Sequence, residues 1–160
     1  MAACGGAKSS TMIYDYNVND MGAQITFTYP VDAKNYKILG EGDEYPASYG
    51  EFQIRAGETF VGVDYDPNNA GSVDDYIAKF KEHNDQYAVE KLTINKRDAF
   101  SAKWEKQRSC YVYIDISDIR KGTLLQFTFF PADTDNGNIL EISETEEFKN
   151  FINGIAIAKK

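Results

Sequence analysis

Residues 24–30, QITFTYP, alternate Ile25, Phe27 and Tyr29 with Gln24, Thr26 and Thr28. A period of two places successive side chains on opposite faces of an extended chain, so the pattern predicts a strand with one buried face. Pro30 has no N–H to give to a ladder and ends it. The same reading predicts strands in YGEFQIRAG and TFVGVDYD, joined by a turn at Ala56-Gly57-Glu58. Further strands are predicted in AVEKLTIN, AFSAKWEK, SCYVYIDI and LLQFTFF. Two stretches change period. In SVDDYIAKFKEHN, Val73, Tyr76, Ile77 and Phe80 make one apolar stripe at helical spacing, and Ser72 with Asp75 three residues on has the form of a capping box. SETEEFKNFING follows the same logic, with Ser143 as the expected cap, Glu146 reaching back and Phe148, Phe151 and Ile152 on one face. Gly154 is placed to terminate that helix, and a last short strand, IAIA, follows. Acidic residues crowd both helix starts, as the helix dipole favours. Many short strands on hairpin-length turns with two helices far apart define an α+β protein, an antiparallel sheet covered by helices.

Composition narrows the class. The 160 residues suit one domain with a substantial core, and the 14% aromatic share is one that a disordered chain lacks. A net charge of −8 opposes contact with phosphate backbones, so nucleic acid is not an expected partner. No stretch reaches the ~18 consecutive apolar residues of a membrane span. The two cysteines, Cys4 and Cys110, sit in unlike contexts and imply no disulfide framework.

Cys4 has small neighbours, Ala2 and Ala3 before it and Gly5 and Gly6 after. AAC followed by Gly resembles the end of a bacterial lipoprotein signal, in which the cysteine is lipidated and becomes the first mature residue. Met1 is then read as a start that replaces a charged, apolar leader. GGAKSST is small and polar, as a flexible tether is. This predicts residues 1–11 as lipobox remnant and tether, residues 12–160 as the domain, and a lipid-anchored, extracytoplasmic location.

The order of elements carries a further resemblance. ITFTYP, then VGVDYDPNNAGSVDDYIAKF, LTINKRDAFSAKW, CYVYIDI and the closing FKNFINGIAIA together resemble the PsbP/Mog1-like domain over roughly residues 22–158. The chain departs from that pattern where a Trp often follows Tyr-Pro, reading VDAKNYKIL, and at a turn Gly, where NKRDAF offers Asn95. The resemblance implies an α/β/α sandwich with a central antiparallel sheet covered by two main helices, and no catalysis. The better-known members of that family are accessory or partner-binding proteins, and a lipoprotein with this domain resembles the poorly characterised surface lipoproteins of Gram-positive bacteria. Fold does not fix function.

Candidate chemistry is sparse. His83 is the single histidine, near the end of the first predicted helix. In SCYVYIDI, Cys110 shares a face with Val112, Ile114 and Ile116, which makes it a small buried hydrophobe in preference to a nucleophile. No dinucleotide, P-loop or nucleophile-elbow motif is present. The sharpest local signal is DYDPNNAGSVDD. Asp64, Asp66, Asn68 and Asp75 occupy the first, third, fifth and twelfth places of a calcium loop. Pro67, Asn69 and Gly71 depart from that loop, and the same residue types suit a strand-to-helix turn with Asp75 as a capping residue. DTDNGNILEISE, with Asp133, Asp135 and Glu144, is a weaker echo. The turn is the expected reading, no cofactor is expected, and calcium is the competing reading. Tyr45, Tyr49, Tyr111 and Tyr113 are the candidate ligand-binding rings, for a saccharide or a protein partner at the cell surface, if they stand on an exposed face. Burial under helices that cover both sheet faces is the expected reading, and an exposed Tyr face is the competing one. The functional expectation is a non-catalytic binding module; the alternatives are a carbohydrate- or peptide-binding module using a Tyr face and a weak hydrolase using two carboxylates.

Overall fold

The computed structural model describes residues 8–46, 50, 52–67, 71–104, 106 and 108–160. In chain order the elements are β1 (Ser9–Tyr16), β2 (Ala23–Pro30), β3 (Tyr36–Ile38), β4 (Ile54–Ala56), β5 (Thr59–Pro67), α1 (Val73–His83), β6 (Ala88–Ile94), β7 (Arg97–Lys103), β8 (Cys110–Asp115), β9 (Thr123–Pro131), α2 (Ile139–Ser143), α3 (Glu146–Asn153) and β10 (Ala156–Lys159). The protein is α+β. Seven strands form one sheet in the order β3-β4-β5-β9-β8-β7-β6, and three form a second, β1-β2-β10. All pairings are antiparallel.

Strand parity decides the layers. On β9, Leu125, Phe127 and Phe129 point into the main core, which also receives Cys110, Val112 and Ile114 of β8. The same core takes Ile25 and Phe27 of β2, Ile157 of β10 and Phe148, Phe151 and Ile152 of α3. The opposite face of the large sheet, with Phe100, Tyr113 and Leu124, is covered by Val73, Tyr76, Ile77 and Phe80 of α1. A third cluster, Leu39, Phe52 and Phe60, lies against Phe130. The large sheet thus has α1 on one face, and the small sheet with α2 and α3 on the other.

Three sequence expectations are corrected. β1 begins at Ser9, whose partner is Pro30, and Lys8 accepts a hydrogen bond from the Val31 N–H at 3.1 Å, so the expected tether through residue 11 is already sheet. Its small polar start hides the period, and only Met12 and Tyr16 are buried. Ser143 caps no helix. It ends α2, buried, with its hydroxyl donating to the Leu140 carbonyl at 2.9 Å. Asn138 caps α2, and Thr145 caps α3 by accepting from Phe148 N–H at 3.2 Å. The single helix expected over 143–154 is therefore preceded by a second, short one. The single covered sheet is likewise two sheets.

The turns follow their chemistry. Ala56 pairs with Thr59, so Gly57 and Glu58 close the predicted hairpin, with Gly57 at φ +60. Ile94 pairs with Arg97, and Asn95 and Lys96 both take positive φ, as a tight hairpin of the primed type requires. Asn95 also donates from Nδ2 to the Ile155 carbonyl at 2.7 Å, tying this turn to the end of α3.

Candidate functional site

Tyr29 lies near the end of β2, on the face that carries Ile25 and Phe27 into the core. Here the strand outruns the core, and Tyr29 is half-buried where Phe27 is fully buried. Tyr36, at the start of β3, stacks on it with ring centroids 4.9 Å apart and planes 1° from parallel. Phe151 of α3 meets Tyr36 at 5.8 Å on one side and stacks on Phe27 at 5.4 Å on the other. These rings border a half-open cleft of about 580 Å³, whose lining includes Pro30, Ala33, Lys8, Lys34 and Asn150. That volume lies within the usual range of small-molecule sites, about 300–1,000 Å³.

The ring pair is locked from behind. Tyr36 donates its phenol to Glu147 Oε1 at 2.6 Å. Burial, and then that carboxylate, hold the Tyr36 phenol well above its ordinary range. Gly57 makes this possible: a Cβ there would sit 2.7 Å from Glu147 Oε1 and 3.0 Å from the Tyr36 hydroxyl. The hairpin glycine thus serves both its turn and the close approach. No local signal links residues 29, 36, 57, 147 and 151; tertiary packing alone brings them together.

The sequence-predicted candidates fall elsewhere. Tyr113 is 6% exposed, stacked on Phe100 at 4.6 Å and covered by Tyr76 at 5.6 Å. Tyr111 is half-buried beside Tyr87 at 6.1 Å. The β8 face that carries Tyr111 and Tyr113 is therefore under α1, as the burial reading has it. Tyr45 is 38% exposed, meets Phe52 edge-on at 6.3 Å and lines an open hollow with Asp43, Pro46 and Arg55. Tyr49, Asn68 and Cys4 lie outside the described residues.

The four-position calcium pattern is divided among different tasks. Asp64 and Asp66 stand in β5, paired with Gln126 and Leu124, where an extended backbone keeps them from curling about one point. Asp64 Oδ1 accepts from Tyr65 N–H at 2.8 Å and from the Tyr16 hydroxyl at 3.5 Å. Asp66 accepts from the Tyr76 hydroxyl. Asp75 donates its N–H to Ser72 Oγ at 3.1 Å and accepts from the same hydroxyl at Oδ2, 2.8 Å. Among the described residues no group of three or more His, Cys, Asp or Glu is placed to hold a metal ion. Asp133 closes a turn by accepting from Asp135 and Asn136 N–H, and Glu144 pairs with Lys103 and Lys149. Ser72→Ala is expected to cost about 0.5–2 kcal/mol through the lost cap. Calcium calorimetry on the unmodified protein should give no micromolar isotherm. A micromolar isotherm abolished by Asp64→Ala would show that β5 opens to bind.

Cys110 is 0% exposed in the main core, and burial pushes its thiol up to about 12. His83 is exposed in the last turn of α1, on the opposite side of the large sheet. The two cannot form a nucleophile–base pair in this fold. No helix among the described residues is long and apolar enough to cross a membrane. No family model matches the chain, and no curated protein matches it.

Proposed function

We propose that this chain is the binding module of a bacterial surface lipoprotein, held outside the cytoplasmic membrane by a lipid on Cys4 and acting by recognition instead of catalysis. In this reading the cleft of Tyr29, Tyr36 and Phe151 is the recognition site. The preformed cleft is the observation that carries it: an aromatic wall fixed by the Tyr36–Glu147 bond, open to solvent. The placing of α1 on one face of an antiparallel sheet and α3 on the other supports a PsbP/Mog1-like α/β/α sandwich. The three-stranded sheet beside α3 is an addition to that plan. The Tyr-face alternative survives in altered form: besides Tyr45, the rings that can meet a ligand are Tyr29 and Tyr36, in place of Tyr111 and Tyr113.

The test is amide NMR with three soluble probes: a short peptide, an oligosaccharide and a monoacyl amphiphile below its micelle threshold. At least one probe should shift amides clustered at Thr28, Tyr29, Ala33, Asn150 and Gly154. Asn150→Trp, which plugs the cleft from an exposed helix position, should abolish those shifts. Shifts confined to another surface, or none with any probe, overturn the site assignment. The anchor is tested separately, in bacteria expressing the gene with its leader. A metabolic lipid label should enter the protein and be lost in Cys4→Ser; absence of label in the unmodified protein refutes the lipoprotein reading.

A further inference from the structure

We propose that the ligand of this cleft is an anionic phospholipid of the membrane, its head group held by Lys8 and Lys34 and the start of its acyl chain lying against Tyr29, Pro30, Ala33 and Phe151. The inference rests on the recognition reading above and names its ligand class.

Charge placement is the first observation. The chain carries a net −8, and six of its cations, Lys37, Lys91, Arg97, Lys103, Lys149 and Lys160, form ion pairs with carboxylates. Lys8 and Lys34 are among the cations that form none with any described residue, and both line this apolar cleft. Its carboxylate, Glu147, is already engaged by Tyr36. The lining therefore brings two ammonium groups, against one carboxylate already bonded to Tyr36, beside an apolar wall, which complements a molecule with an anionic end and an apolar body.

The surroundings of the mouth are the second observation. Val31, between the lining residues Pro30 and Ala33, is 56% exposed. Its N–H donates to the Lys8 carbonyl, which sets the two backbones side by side, and the exposed Asp32 follows it in the chain. Apolar side chains flanked by lysines are what a surface uses to rest on an anionic bilayer interface. Lys8 is also four residues from Cys4, and an extended chain spans at most about 3.6 Å per residue. If Cys4 carries the lipid, the mouth lies within about 14 Å of it.

A saccharide fits the same walls less well. Sugar rings stack on free aromatic faces, whereas Tyr29 and Tyr36 each cover a face of the other. The phenol and carboxylate that would answer sugar hydroxyls are bonded to each other.

The test uses the soluble, unlipidated protein, with lysophosphatidylglycerol and lysophosphatidylcholine as probes below their micelle thresholds, read by the same cleft amides. Lysophosphatidylglycerol should bind about tenfold or more tighter than the zwitterionic probe. The Lys8→Glu, Lys34→Glu double variant, both positions being exposed, should lose that preference while keeping its thermal midpoint. Asn150→Trp should lose binding of both probes. In vesicle sedimentation, the protein should pellet with phosphatidylglycerol vesicles and not with phosphatidylcholine vesicles. Equal affinity for the two probes, or a preference that survives the double variant, overturns the proposal. Probe binding without vesicle binding overturns a membrane source. A saccharide or peptide that fills the cleft while lysophosphatidylglycerol does not would overturn the lipid and leave the recognition site standing. Silence of the cleft amides toward every probe would remove both.

Discussion

Raising the pH through about 10 to 12 is expected to unfold this protein cooperatively, with tyrosinate absorbance appearing in step with the loss of secondary structure. Tyr16, Tyr36, Tyr76 and Tyr113 are all held above the ordinary phenol range, with burial as the largest cause in each. Carboxylates add to it: Asp64 near Tyr16, Glu147 on Tyr36 and Asp66 on Tyr76 each oppose a second negative charge. Cys110, pushed up to about 12 by burial, behaves alike. In the unfolded chain the phenols titrate near 10 and the thiol near 8.5. Between the unfolded and folded values the folded protein keeps a proton that the unfolded chain has released, so rising pH favours unfolding. Stability from these groups is complete below about pH 8.5 and lost progressively above it. At pH 11 the nearly inaccessible Tyr16 and Tyr113 each forfeit on the order of 1 kcal/mol or more, and Cys110 roughly twice that. Tyr36 and Tyr76 are only partly buried and add less. The total, about 5 kcal/mol or more, is comparable to the whole stability of many domains, about 5–15 kcal/mol. Circular dichroism and tyrosinate absorbance across the titration check this. Phenols that ionise near pH 10 while the sheet signal persists would mean that the rings are open to water. Cys110→Ala should flatten the stability slope between about pH 8.5 and 10, where the thiol titrates ahead of the phenols.

Phe151→Ala should cost about 3–5 kcal/mol, measured as a lower denaturant midpoint at unchanged slope. Phe151 is buried and joins two parts of the molecule. It stacks on Phe27 at 5.4 Å and meets Phe129 edge-on at 6.4 Å in the main core, while its other side touches Tyr36 at 5.8 Å. Truncation leaves a cavity between α3 and β2 that neighbouring rings, held by strand pairing, cannot close. It also removes a wall of the cleft, so ligand shifts at Tyr29 should vanish even where the protein remains folded. Phe151→Leu should cost less than the alanine variant because it leaves a smaller void. A loss below about 1 kcal/mol for the alanine variant would show that α3 is not seated on the small sheet as described.

The local signals that proved legible were those with a short physical range. Alternation along β2 and β5 to β9, the Ser72–Asp75 cap, the Gly57 turn and the inward Cys110 each depend on residues within one or two turns of chain. Where a competing local signal was present, sequence reading went astray. Ser143 has the spacing of a capping residue, but Asn138 and Thr145 flank better-placed helix starts. The calcium spacing of Asp64, Asp66 and Asp75 is a different case: the turn is the expected reading there, and Ser72 and Asp75 do cap α1 while β9 holds Asp64 and Asp66 extended.

By itself, then, the sequence determined the α+β class, most strand positions, the parity that sends Phe127 and Cys110 one way and Tyr113 the other, and the net charge of −8. Parity assigns a side chain to one of two faces; it cannot say what covers that face. That α1 buries Tyr113, that the strands divide into two sheets, and that Tyr29, Tyr36 and Phe151 meet over Gly57 were decided only by the tertiary structure. These contacts join residues up to about a hundred positions apart, and no periodic signal extends that far: the pairing of distant apolar faces is settled by which arrangement excludes the most water.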